Sequence, residues 1–299
     1  MSGRRGETKM ETKKSRLADS FLYKVNADEC VIGIHISEVR PGIVEVAGRM
    51  GFDYVQISQE HTNLSSQSLL EILPVADLAE LVSLVKLNHP DPKLAVDAID
   101  AGAMGVVVPY IESAAQLREF FQGTKFPPLG NRGMCPNVRA ALWSATNQQS
   151  YSKETGKGQN PVLDEYFEFV NEHMIVVPMI ESVDGVDNLD EILAVPGYSI
   201  IEIGLADLVL SLANAGFDNP ARKAITVGRA VAKKCREAGK KIMLTMSLRE
   251  DEESMLAELV GFEVTVPLVI DYMSLVFGFH TAQRMGAKGV AEISRRGRE

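Results

Sequence analysis

The chain of 299 residues is 45% apolar, enough for a substantial core in one large or two small domains, and its 31 basic and 40 acidic side chains leave a net charge of −9. That balance argues against nucleic acid or an anionic membrane surface as a partner, and no apolar run is long enough to span a bilayer. The charged start, M-S-G-R-R-G-E-T-K, leads into no signal-type apolar core, and Cys30, Cys135 and Cys235 match no metal-knuckle spacing, so the expectation is a reduced, cytoplasmic protein.

The first stretch, residues 1–20, is charged and reads as a mobile tail. After it one local pattern keeps returning: an amphipathic helix, a Gly, a short turn and an apolar strand. It recurs around Gly51, Gly102, Gly239 and Gly261, the position where a left-handed residue stops a helix. Strands are expected near 30–36, 54–58, 82–87, 105–110, 175–181, 199–204, 241–246 and 262–267. Asp91-Pro92 and Asn219-Pro220 each read as an N-cap followed by Pro at the first helical position. Eight strands, each followed by helical sequence, predict a single α/β domain over residues 21–290. Its fold is a closed (β/α)8 TIM barrel, with a doubly wound sheet as the alternative. Residues 291–299 read as a C-terminal tail. The spacing is a lean one except between Tyr110 and Ile175, where a long polar stretch covers residues 130–161, and loops of that length are usually functional or disordered.

Two of these strands end in a single carboxylate: V-V-P-M-I-E-S places Glu181, and S-I-I-E-I-G-L-A-D-L places Asp207. A strand–helix–strand crossover makes the two strands parallel, so both carboxylates emerge at the same edge, where α/β folds keep their chemistry. Such a pair suits a hard divalent cation, Mg²⁺ or Mn²⁺. Capping of a following helix, or pairing with a surface lysine, suits it as well, and spacing alone does not separate these readings. The strand ending V-Q-I-S-Q-E-H brings Ser58, Glu60 and His61 to the same rim. The strand ending L-V-K-L-N-H brings Lys86. Arg132, between Gly130 and Gly133, is placed to orient a ligand or simply to sit in a tight turn. His35, inside the first strand, reads as an interior residue with a satisfied hydrogen bond.

The ordered series G-F-D-Y-V-Q-I-S-Q-E-H, D-A-G-A-M-G-V-V-V-P, F-P-P-L-G-N-R-G, M-I-E-S-V-D-G-V-D-N-L-D-E-I and I-G-L-A-D-L resembles the HpcH/HpaI aldolase family, over roughly residues 30–280. These are metal-dependent pyruvate aldolases of the phosphoenolpyruvate/pyruvate barrel superfamily. The resemblance implies a (β/α)8 barrel, usually a hexamer built from dimers that exchange their last helix, and a small 2-oxo acid as substrate. It puts the metal ligands at Glu181 and Asp207, for Mg²⁺ or Mn²⁺ and possible use of Co²⁺. His61 falls on the catalytic base, and the backbone amides of Ala206 and Asp207 fall where the substrate carboxylate binds. Three positions depart from the pattern. Ser58 stands where the family usually has Asp, as a substrate-binding position of altered chemistry. Lys86 replaces the usual Arg, exchanging a planar two-pronged donor for a point charge. Leu205 replaces the usual Pro. The first reading is therefore a carbon–carbon lyase acting through a metal-stabilised enolate, with Lys86 neutralising the keto-acid oxygens. A synthase using the same enolate, and a barrel that binds without catalysing, are the alternatives. The stretch Met273 to Met285, with Leu275, Val276, Phe277 and Phe279, carries more apolar surface than one barrel needs for its last helix, which fits a homo-oligomer.

Overall fold

A computed structural model describes residues 13–27, 29, 31–143, 161–246 and 262–265, the last four as backbone. Eight strands follow one another around a curled parallel sheet: β1 (Ile32–Ile36), β2 (Tyr54–Ser58), β3 (Val82–Lys86), β4 (Gly105–Val108), β5 (Ile175–Ile180), β6 (Ile200–Ile203), β7 (Lys241–Met246) and β8 (Phe262–Thr265). Each pairs with its neighbour in chain order, and β8 pairs with β1 from Ile32↔Phe262 to His35↔Thr265. The order never reverses, as a doubly wound sheet would require. Sequences such as G-V-V-V in β4 and I-V-V-P-M-I in β5 are buried along their whole length, because a parallel sheet is covered on both faces.

Helices pack outside: α1 (Lys13–Asn26), α2 (Pro41–Arg49), α3 (Ser66–Leu78), α4 (Pro92–Asp100), α5 (Ala114–Thr124), α6 (Pro161–Glu168), α7 (Val183–Asp187), α8 (Leu189–Leu193), α9 (Leu205–Asn214) and α10 (Pro220–Glu237). A π turn, Phe169–His173, continues α6. Local chemistry sets most of the boundaries. Asp91 accepts the Lys93 N–H at 2.8 Å and so caps α4. Gly51, Gly102 and Gly239 adopt positive φ at helix ends, where a β-carbon would be strained.

Three expectations change. Residues 13–20, expected in a mobile tail, are helical instead: they belong to α1, which buries Ala18, Phe21 and Val25 on one side. Its lysines and arginine dilute the apolar period that would have revealed it. Asn219 does not cap α10 with its side chain; it sits at φ 50° and leaves the start of the helix to Pro220. One helix expected after β5 is two short ones, α7 and α8, meeting at Asn188. Residues 146–160, the expected exchanged last helix and residues 291–299 lie outside the described residues.

Candidate active site

The C-terminal ends of β2, β3, β5 and β6 converge on one rim. Met179↔Glu202 and Ile180↔Ile203 set β5 against β6, so Glu181, the residue after β5, lies beside Gly204. A β-carbon at Gly204 would come within 2.5 Å of Glu181 Oε2 and 2.4 Å of Met179 Cε, so only glycine leaves room here. Glu181 is 1% exposed. Its Oε1 accepts the Tyr110 N–H at 2.8 Å, while Oε2 is buried with no hydrogen-bond partner among the described residues. Burial drives the Glu181 carboxyl up to about 8; the Tyr110 N–H and Lys86 oppose the rise, and the negative charges of Glu60 and Asp207 add to it. Asp207 sits half-buried in the first turn of α9, with Ala206 exposed beside it. The first-turn amides of α9 have no partner within the helix, as at any helix start, and favour an anion.

On the opposite side of the rim, Ser58 is buried at the end of β2. Its Oγ donates to the Glu60 carbonyl at 3.0 Å, and its own carbonyl accepts from Thr62 Oγ1 at 2.7 Å. This tight turn swings Glu60 inward, 4% exposed, and sets its Oε2 2.5 Å from Lys86 Nζ. His61 follows at φ 56° with its side chain 71% exposed, Nε2 3.9 Å from Glu60 Oε1. Burial would lower the Lys86 ammonium, but Glu202, Glu60 and Glu181 outweigh it, and the net shift is upward. The carboxylates around Lys86 thus favour its charged form.

Arg132 is not at this rim. Its guanidinium, 1% exposed, pairs with Asp100 Oδ1 at 2.6 Å, the last residue of α4, and also donates to the Tyr166 hydroxyl. It lies over the rings of Phe126 and Tyr166, with Cζ 4.7 and 5.4 Å from their centroids. The end of a barrel helix lies at the N-terminal edge of the sheet, the far side from the carboxylates. The substrate-binding role expected for Arg132 is therefore replaced by a structural one: it pins the loop after α5 to α4 and α6. Arg139 does the same nearby, bonding Asp77 and the Ala101 carbonyl.

Two residues near this site carried no assignment from sequence. Tyr110 lies two residues past β4 at φ 50°, and burial with the charges of Asp207, Glu181 and Glu60 raises its phenol. Glu202 is fully buried inside β6. Tyr110 had a signal, its place just past the C-terminal end of a strand. Glu202 was hidden in the apolar run S-I-I-E-I.

A divalent cation fits these residues. Three carboxylates (Glu60, Glu181 and Glu202) act on one ammonium, Asp207 acts on Glu181, and among the described residues the buried Glu181 Oε2 has no hydrogen-bond partner. Glu181 and Asp207 offer two carboxylates rather than a full protein cage, which suits a hard ion that keeps part of its water shell. Among the described residues, the three metal-capable side chains within 4.8 Å of one another are Glu168, Glu172 and His173 at the π turn, away from this rim. There His173 Nδ1 is already engaged by Asp19 at 2.7 Å.

A curled parallel sheet with outer helices, and with its buried carboxylates gathered at the C-terminal strand edge, defines an α/β protein of the barrel type. The chain matches the HpcH/HpaI aldolase/citrate lyase family over residues 32–266 and belongs to it. It is 30% identical over 205 residues to a 2-keto-3-deoxy-L-rhamnonate aldolase of Escherichia coli, covering 67% of this chain and 70% of that one. An HpcH/HpaI aldolase/citrate lyase family protein from Burkholderia cenocepacia superposes with a TM-score of 0.69 at 24% identity, covering 91% of this chain and 99% of that one. The citrate synthase SbnG superposes at 0.65 and 23% identity, over 90% and 98%. At these identities the two structures speak for the fold alone.

Proposed function

We propose that the protein is a divalent-metal-dependent carbon–carbon lyase that cleaves a hydroxylated 2-oxo acid into a smaller 2-oxo acid and an aldehyde. The observation that carries this reading is the buried Oε2 of Glu181, without a hydrogen-bond partner among the described residues, on a rim shared with Asp207 and with Lys86, whose charge the carboxylates favour. Glu181 and Asp207 would hold Mg²⁺ or Mn²⁺, with Co²⁺ a further candidate, and the bound ion supplies Lewis-acid withdrawal of electron density from the 2-oxo group. The amides of Ala206 and Asp207 bind the substrate carboxylate at the start of α9. His61 takes the proton of the hydroxyl, directly or through a water. The C–O⁻ so formed becomes the aldehyde as the C3–C4 bond breaks. The electron pair of that bond moves into C2–C3, and the charge reaches the keto oxygen, where a Lys86 N–H meets it. A proton returned to C3 completes the smaller 2-oxo acid.

The same reading carries the family's complete (β/α)8 barrel with an exchanged last helix, a homo-oligomer of six chains and a cytoplasmic setting. Purified protein with Mg²⁺ or Mn²⁺ and a panel of 2-oxo and hydroxy-oxo acids, followed by NMR, tests it. Proton exchange at C3 together with aldol cleavage is the expected result. Exchange without cleavage would move the assignment to a condensing enzyme, and neither binding nor exchange would leave a barrel that only binds.

A further inference from the structure

β6 carries a carboxylate in the dry interior, since Glu202 is 0% exposed, and a buried charge persists only when it is compensated. Part of that compensation comes from β2. Gln56 Nε2 donates to Glu202 Oε2 at 3.1 Å, a contact across 146 residues of chain. The Gln56 carbonyl oxygen, Oε1, lies 3.1 Å from His35 Nδ1 on β1. Because Oε1 can only accept, His35 is the donor, and the two bonds run in one direction, from His35 through Gln56 to Glu202.

Lys86 lies just above this chain. Register pairs Gln56 with Leu84 and Ser58 with Lys86, so Lys86 is one layer nearer the rim than Gln56. Along β6 the next residue on the Glu202 face is Gly204, which has no side chain to separate the floor from the rim. Lys86 is 12% exposed and touches Glu60 from the rim side at 2.5 Å. Glu202 pulls on its charge from below, alongside Glu60, which also accepts its hydrogen bond, and Glu181. An ammonium has three N–H donors on a flexible stem, whereas the Arg usual in this family is held by its planar fork. A lysine in this place needs fixing from two sides to present its remaining donor in one direction.

We propose that Glu202 is the positioning residue of Lys86: it anchors the ammonium from the barrel floor while Glu60 anchors it from the rim, leaving one N–H for the keto oxygen of the substrate. The role in substrate contact rests on the lyase reading, and the anchoring does not.

Two measurements on the full chain separate these. In the metal-free protein, trace acetylation followed by mass spectrometry compares Lys86 with Lys93, whose side chain is 78% exposed. Glu202→Gln is expected to speed Lys86 labelling about tenfold relative to Lys93, the change a one-unit fall in its ionisation gives. Glu202→Asp, which keeps the charge, is expected to stay slow. Labelling unchanged in Glu202→Gln overturns the proposal. Should that variant not fold, Glu202→Met, apolar and of similar length, carries the same expectation. The second measurement is a double-mutant cycle on pyruvate affinity with Mg²⁺ present, using Glu202→Gln, Lys86→Met and both together. Glu202→Gln is expected to weaken binding about tenfold in the parent and to add nothing once Lys86 is gone. Additive losses would mean that Glu202 acts on the fold and not through Lys86. Wild-type protein that binds no pyruvate overturns the lyase reading, while the labelling still decides the anchoring.

Discussion

Glu181 combines two features that conflict until a cation or a proton arrives: it is buried, and one of its oxygens has no partner among the described residues. With its carboxyl raised from 4.5 to about 8, the metal-free protein carries a proton there at neutral pH. Metal binding below that value must release the proton, so affinity rises with pH up to about 8 and levels off above it. The stability consequence has the opposite sign. A folded state that holds the proton more tightly than the unfolded chain is favoured below 4.5 and loses that advantage as pH rises through 8. Urea unfolding of metal-free protein at about pH 6 and about pH 9 should therefore show wild type losing stability relative to Glu181→Gln, which has no such proton. Calorimetry should find stoichiometric Mg²⁺ or Mn²⁺ binding abolished in Glu181→Gln and in Asp207→Asn, each still folded. Unchanged affinity in both would remove the metal from this rim. Lys86 makes a separate prediction. Held charged by Glu202, Glu60 and Glu181, it is a poor nucleophile. Pyruvate and borohydride should leave no reduced adduct on Lys86. Lys86→Arg should keep keto-acid affinity, and Lys86→Ala should lose it.

The elements that carry the site were legible where their chemistry is local. A helix, a glycine, a turn and an apolar strand repeat in the sequence, and Gly51, Gly102 and Gly239 take the left-handed conformation the pattern implies. The carboxylate pair could be placed because β5 and β6 are neighbours joined by a short crossover. What sequence could not show depends on distant partners. Arg132 sits in a glycine-flanked loop that reads like a ligand clamp, yet its partners are Asp100 and Tyr166, 32 and 34 residues away. Glu202 lies in a strand whose other residues are all apolar, and only the fold brings Gln56 to it. The Arg132 correction is testable. Arg132→Ala leaves the carboxylate of Asp100 and the Tyr166 hydroxyl without their cation, and breaking such a pair costs about 3 kcal/mol or more. Stability should fall by that order while KM stays unchanged; a raised KM at intact stability would return Arg132 to the substrate. Gly204→Ala tests the β6–α9 junction. Its methyl would press on Glu181 and Met179, so a loss of about 1–3 kcal/mol is expected, together with weaker metal binding.

At the scale of the molecule, most of the apolar surface has a visible place. One continuous core runs from Ala18 in α1 to Leu244 in β7, and Leu208, Leu212 and Ala224 join α9 to α10 in a smaller cluster beside it. The stretch from Met273 to Met285 is notable in sequence, because Leu275, Val276, Phe277 and Phe279 crowd together in it. A solitary chain exposing such a segment would carry an association liability, and a self-associating one would bury it between copies. Light scattering at micromolar concentration should give a mass near six times 32.7 kDa. A chain ended after residue 272 should fall to smaller species while keeping the circular-dichroism signature of the α/β core. A full-length protein that scatters as a single 32.7 kDa chain would sink this assembly.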